Sequence, residues 1–132
     1  MLISLQEELR LLEYSQRLQL QSRAIIANRG DSNGRKLFDE VLQGGNRAAQ
    51  RRSGKIAPGF WADLVALDTD NYQLDRLRTD TVLDAWIFAA SERLISDVWS
   101  AGRQSVKCGR HVNRDNMLKS YRDKLKRLRD QL

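Results

Sequence analysis

The stretch Gly54-Lys55-Ile56-Ala57-Pro58-Gly59-Phe60-Trp61-Ala62-Asp63-Leu64-Val65-Ala66-Leu67-Asp68 decides how the rest of the chain is read. Pro58, the only proline, is followed by Gly59, and that pair is a turn signal. Ala62 to Asp68 then reads as a short, largely buried strand, which Asp68-Thr69-Asp70-Asn71 ends with turn chemistry. The texture of the chain therefore changes near Lys55.

Downstream, Thr81 to Ala90 fits either a buried strand or a short helix, because Val82, Leu83, Ala85, Trp86 and Phe88 satisfy both patterns. Leu94 to Ser100 is a strand candidate. Ala101-Gly102 turns it into a second arm, Gln104 to Lys107, which Cys108-Gly109 closes. Trp61, Trp86 and Trp99 lie in or beside these runs and read as core residues. In the last segment Leu118, Tyr121, Leu125, Leu128 and Leu132 form a single apolar seam at heptad spacing, on a helix otherwise rich in Lys, Arg, Asp and Gln. Packing of that seam on its own domain is the simpler expectation, with a two-chain coiled contact as the alternative.

Upstream, Ser4-Leu5-Gln6-Glu7 has the form of a capping box, and good helix formers follow to about Ala27, before Asn28-Arg29-Gly30-Asp31. Wound at about 100° per residue, this helix carries two apolar stripes. Leu5, Leu9, Leu12 and Leu20 lie on one side, and Leu11, Tyr14, Leu18 and Ile25 lie nearly opposite. A helix apolar on two faces calls for cover on both. A second helix is expected from about Arg35 to Gln43, ended or bent by Gly44-Gly45, with a short helical piece at Asn46 to Gln50.

The 132 residues are 41% hydrophobic and 30% charged, the balance of a folded domain. One cysteine and one histidine exclude an internal disulfide framework, a cysteine-rich zinc site and any metal site needing two imidazoles from one chain. No apolar run approaches the ~18 residues of a membrane span, and Glu7-Glu8 sit where a signal peptide would be basic, so a cytoplasmic, reducing setting is expected. The net charge of +6 raises the question of nucleic acid. The excess, however, lies in residues 31–60 and 111–132, where acids are interspersed on helical faces, and the expectation is no nucleic acid and no membrane partner. Glu7-Glu8 and Asp39-Glu40 are neighbouring carboxylates that diverge around a helix and read as solvated charge. His111, beside a helix start, reads as a capping, exposed or partner-contacting residue, and Cys108, in a turn near Lys107 and Arg110, is weak evidence of a reactive thiol.

Residues 54–68 closely resemble the G-x-[IL]-x-P-G-x-x-A-D-[LI]-V-x-[LF]-D segment of the amidohydrolase superfamily of metal-dependent hydrolases. Ile95 to Arg103 and Val106 to Arg110 are similar to the closing hairpin of that family's small β-sandwich. Ile3 to Leu18, Leu83 to Ala89 and Gly109-Arg110-His111 resemble the formimidoylglutamate deiminases within it. The resemblance implies an α+β chain: terminal helices of a (β/α)8 barrel in residues 1–53, part of the small flanking β-sandwich in 54–110, and a C-terminal amphipathic helix in 111–132. It also implies hydrolysis of C–N bonds in N-formimino-L-glutamate, during histidine breakdown, by a longer enzyme holding zinc or another divalent metal. In the family the metal ligands and substrate-clamping arginines lie upstream of the matched segment, so the resemblance assigns no catalytic, cofactor-binding or metal residue and no cofactor to this chain. Asp31-Ser32-Asn33 has letters similar to the ligand motif but falls after the helix that should follow it, and is rejected as a ligand. The expectation is an inactive C-terminal fragment that self-associates through its N-terminal helix or meets the missing barrel portion. The alternative is a non-enzymatic oligomerisation or interaction module, which could take an acidic partner through residues 111–132.

Overall fold

A computed structural model describes residues 4–23, 25–77, 79–90 and 94–131. Helices and one antiparallel sheet make up the chain, in keeping with an α+β reading. Two compact units divide it: Met1–Trp61 with Asp68–Leu94, and Ala62–Leu67 with Ile95–Leu132.

The first unit is helical. Helix α1 (Leu5–Leu20) begins at Ser4, whose hydroxyl accepts the Glu7 N–H at 3.3 Å. It stops well short of Ala27, because Gln21 adopts the left-handed conformation at φ 50° and its N–H returns to the Arg17 carbonyl. Leu18 is 81% exposed and Leu20 57%, so no burial holds a further turn. Of the two expected stripes only Leu9 is buried, joined by Glu13; Leu5, Leu11, Leu12 and Tyr14 all face solvent. Helix α2 (Asn33–Ala49) runs straight through Gly44-Gly45, merging the two expected pieces. Glycine stops a helix by taking positive φ, and neither of these does. The exit comes at Gln50, left-handed at φ 51°.

Thr81 to Ala90 resolves as helix: α3 (Thr81–Asp84) continues into a π-helical turn, Ala85–Ala89, closed by the Ala90 N–H to the Ala85 carbonyl at 2.8 Å. That turn places Trp86 and Ile87 in the core with Leu9, Leu37, Leu74, Ala90 and Leu94. Phe38 meets the Trp86 ring edge-on at 6.0 Å between centroids. The start of α2 lies directly on α3: a Cβ at Gly34 would fall 2.8 Å from the Leu83 carbonyl carbon and the Asp84 nitrogen. Asp84 Oδ1 accepts the Gly34 N–H at 2.7 Å, a carboxylate at the positive end of a helix.

The second unit is a four-stranded antiparallel meander, β1 (Leu64–Leu67), β2 (Ile95–Ser100), β3 (Arg103–Lys107) and β4 (Arg110–His111), followed by helix α4 (Arg114–Arg129). The register pairs Val65 with Val98, Val98 with Val106, and Lys107 with Arg110. Both two-residue turns have positive φ at both positions, 51° and 77° at Ala101-Gly102 and 48° and 70° at Cys108-Gly109. This mirror-image turn matches the twist of the flanking strands and so sets the register of β2, β3 and β4. The strand expected to be largely buried is not: Leu64 and Val65 are exposed. Of the three tryptophans only Trp86 is fully buried; Trp61 is 52% exposed and Trp99 half-buried. On α4 the seam is likewise open, with Leu118 and Leu125 half-buried and Tyr121 and Leu128 exposed. Leu132, its expected last member, lies outside the described residues.

Candidate functional site

The motif at residues 54–68 is held by backbone geometry. Gly54 and Gly59 take φ of 80° and 83°, and the Phe60 N–H closes a turn onto the Ala57 carbonyl at 3.2 Å with Pro58-Gly59 at its centre. The Trp61 N–H reaches the Arg52 carbonyl at 2.8 Å, while the Arg51 guanidinium lies 5.0 Å from the centre of the Trp61 ring. Within the sheet unit, Asp63 Oδ1 accepts the Ala101 N–H at 2.7 Å and the Ala62 carbonyl accepts the Gly102 N–H at 2.9 Å. Asp63 thus fixes a hairpin turn in which an alanine sits left-handed. Asp68 Oδ1 accepts the Asp70 N–H at 3.2 Å. Both carboxylates of the motif have backbone-holding roles.

A second polar cluster joins α1 to the π-helical turn. Arg10 donates from Nε to the Ile87 carbonyl at 2.7 Å and from Nη2 to the Ala90 carbonyl at 2.9 Å, and Gln6 donates to the same Ala90 oxygen at 2.6 Å. These side chains satisfy carbonyls that the end of a helix leaves open. Arg17 donates to Glu13 Oε1 at 2.9 Å, and its guanidinium covers the rings of Tyr14 and Phe88 at 5.3 and 5.4 Å. Glu13 is fully buried, and its Oε2 has no hydrogen-bond partner among the described residues. The spacing of Glu13 and Arg17 offered the only sequence signal for this cluster. Gln6, Arg10, Asp63 and Asp84 act on backbone groups far away in sequence and left no such signal.

The neighbouring carboxylates behave as solvated charge. Glu7 and Glu8 are exposed, while Asp39 and Glu40 diverge to Arg35 at 3.5 Å and Lys36 at 2.9 Å. The hydrogen bond and charge of Lys36 hold the Glu40 carboxyl below its ordinary value and raise the Lys36 ammonium in return. A hydrogen bond to Asp80, at 2.8 Å, raises the Arg35 guanidinium. Cys108 is exposed in its turn, Asp31 is exposed, and exposed His111 accepts the Asn113 N–H at Nδ1. Among the described residues no group of three or more His, Cys, Asp or Glu side chains could hold a metal ion. No helix among the described residues is long and apolar enough to cross a membrane.

No family model matches the sequence. The formimidoylglutamate deiminase of Pseudomonas aeruginosa is 37% identical over 120 residues, which is 90% of this chain and 26% of that protein. The crystal structure of an amidohydrolase from Brucella melitensis superposes with a TM-score of 0.80 at 39% identity, covering 96% of this chain and 28% of the other. The chain thus spans about a quarter of the length of the relatives it matches. By sequence and by fold alike, the chain is similar to a formimidoylglutamate deiminase and to an amidohydrolase over at least nine-tenths of its own length.

Proposed function

We propose that this chain is the C-terminal segment of a metal-dependent amidohydrolase of the formimidoylglutamate deiminase kind, and that it does not turn over substrate by itself. On this reading residues 1–53 correspond to the last helices of a (β/α)8 barrel, 54–110 to part of the small flanking β-sandwich, and 111–132 to a terminal helix. The whole enzyme would hydrolyse the C–N bond of N-formimino-L-glutamate in the cytoplasm, releasing ammonia, with its metal held by residues outside this chain. The observation that carries the reading is the match at 37% identity over nine-tenths of this chain but only a quarter of the deiminase. The donor inventory agrees, since a single histidine cannot supply the imidazoles such a site uses.

The open leucines of α1 support a second element of the proposal. Leu11 and Leu18 lie one heptad apart on its solvent side, and association of α1 with a second copy, or with the barrel portion, would cover them.

The test is an ammonia-release assay on N-formimino-L-glutamate with the purified chain and added zinc, together with the coding sequence upstream of Met1. The expected results are no turnover and an open frame encoding a His-x-His segment. Turnover with stoichiometric zinc would overturn the proposal, and a stop codon just before Met1 would favour a non-enzymatic interaction module instead.

A further inference from the structure

Helix α4 presents an apolar seam that its own unit leaves largely open among the described residues. Leu118 and Leu125 are half-buried, while Met117, Tyr121 and Leu128 are 56%, 62% and 59% exposed. With Leu118 and Leu125 at the a positions of a heptad and Tyr121 and Leu128 at d, the flanking e and g positions carry Arg122, Lys124 and Arg129 beside one acid, Asp115, which is paired to Arg110. None of these three cations is ion-paired within the described residues, and residues 111–132 carry a net +4.

That charge selects the occupant. Two copies of α4 laid seam to seam would set Lys124 against Arg129 when parallel, and Arg122 against Arg122 and Lys124 against Lys124 when antiparallel, where the one acid facing Arg129, Asp115, is already held by Arg110. These like-charge contacts disfavour a self-paired coil. A helix with the same apolar spacing and Asp or Glu at its own e and g positions would bury the seam and neutralise all three cations at once. We propose that α4 is a docking helix for an acidic amphipathic helix on a separate polypeptide. The inference stands on α4 alone and holds whether or not the chain is a piece of a hydrolase.

The experiment uses the full chain and a fluorescently labelled peptide of three heptads with Leu at a and d and Glu at e and g, whose own repulsion keeps it monomeric. Anisotropy should report binding that weakens about tenfold when Gln replaces Glu in the peptide, and about tenfold between low and high salt. Leu125→Asp should abolish binding and Arg122→Glu with Arg129→Glu should weaken it strongly. Unchanged helix content by circular dichroism keeps the variants interpretable. Equal binding of the Gln peptide would overturn the proposal. So would sedimentation showing a dimer that Leu125→Asp dissolves, which would assign the seam to a second copy. Displacement of the peptide by a single-stranded oligonucleotide that itself binds Leu125→Asp unchanged would assign the face to nucleic acid. Loss of peptide binding once the chain is joined to residues its gene encodes upstream would assign the seam to packing within one protein.

Discussion

The two units of this chain differ in what holds them. The helical unit contains every fully buried side chain among the described residues: seven apolar ones from Leu9 to Leu94, and Glu13. The sheet unit contains none, although its turns, register and hydrogen bonds are regular. Backbone pairing alone contributes little net stability, because water competes for the same groups. A four-stranded sheet with an unburied face is therefore complete in geometry and incomplete in energy. What separates the two units is not the quality of their secondary structure but the apolar area each removes from water.

Core truncation should separate them most. Leu37→Ala, at a site 1% exposed, is expected to cost about 3 kcal/mol, read from denaturant unfolding followed by Trp86 fluorescence. Val65→Ala on β1, 49% exposed, should shift the same transition by less than about 0.5 kcal/mol. Equal effects would erase the distinction. Next comes the buried ion pair: Arg17→Ala strands the Glu13 carboxylate and should cost about 2 kcal/mol, discounted because Arg17 itself is part-exposed. Restoration of stability in the double variant Arg17→Ala with Glu13→Leu would show that the cost comes from the stranded charge.

Glycines sharpen the comparison within one helix. Gly34→Ala should destabilise by about 1–2 kcal/mol, since its Cβ would meet backbone that cannot swing away. Gly44→Ala, with nothing within 4 Å of the new atom, should stabilise by about 0.5–1 kcal/mol through helix propensity. In the sheet unit, Ala101→Asn should slow hydrogen exchange across β2 and β3 by an amount worth about 0.5–1 kcal/mol, because asparagine tolerates the left-handed conformation that alanine resists.

The smallest effect is a pH dependence on α2. Glu40 has a folded-state pKa below the ordinary 4.5, so its pair with Lys36 stabilises above that value, and the contribution is lost as pH falls through the folded pKa. NMR titration should place the Glu40 carboxyl below 4.5, and Lys36→Met should return it towards that value.

Local chemistry made part of this legible in the sequence. Pro58-Gly59, Ala101-Gly102 and Cys108-Gly109 marked their turns, and the two strands around Ala101-Gly102 followed, whereas the short β4 after Cys108-Gly109 was not foreseen. Ser4 marked the start of α1. The heptad seam of α4 was readable, but its exposure was not, because spacing says that a face is apolar without saying what covers it. The two polar clusters were not readable, since Arg10 and Asp63 are explained by carbonyl and amide groups 77 and 38 residues away.

The sequence by itself determined the turns, the pairing across Ala101-Gly102, the starts of the helices at either end of the chain and the likeness to amidohydrolases, all of which rest on neighbouring residues or on matched motifs. Only the tertiary structure decided that Leu9 is buried while Leu5 and Leu12 are not, that Gly44-Gly45 stays helical, and that Ala85–Ala89 widens into a π-turn. The physical reason is that burial and helix continuity depend on free energies of contact between distant segments, and those contacts exist only once the chain has brought its parts together.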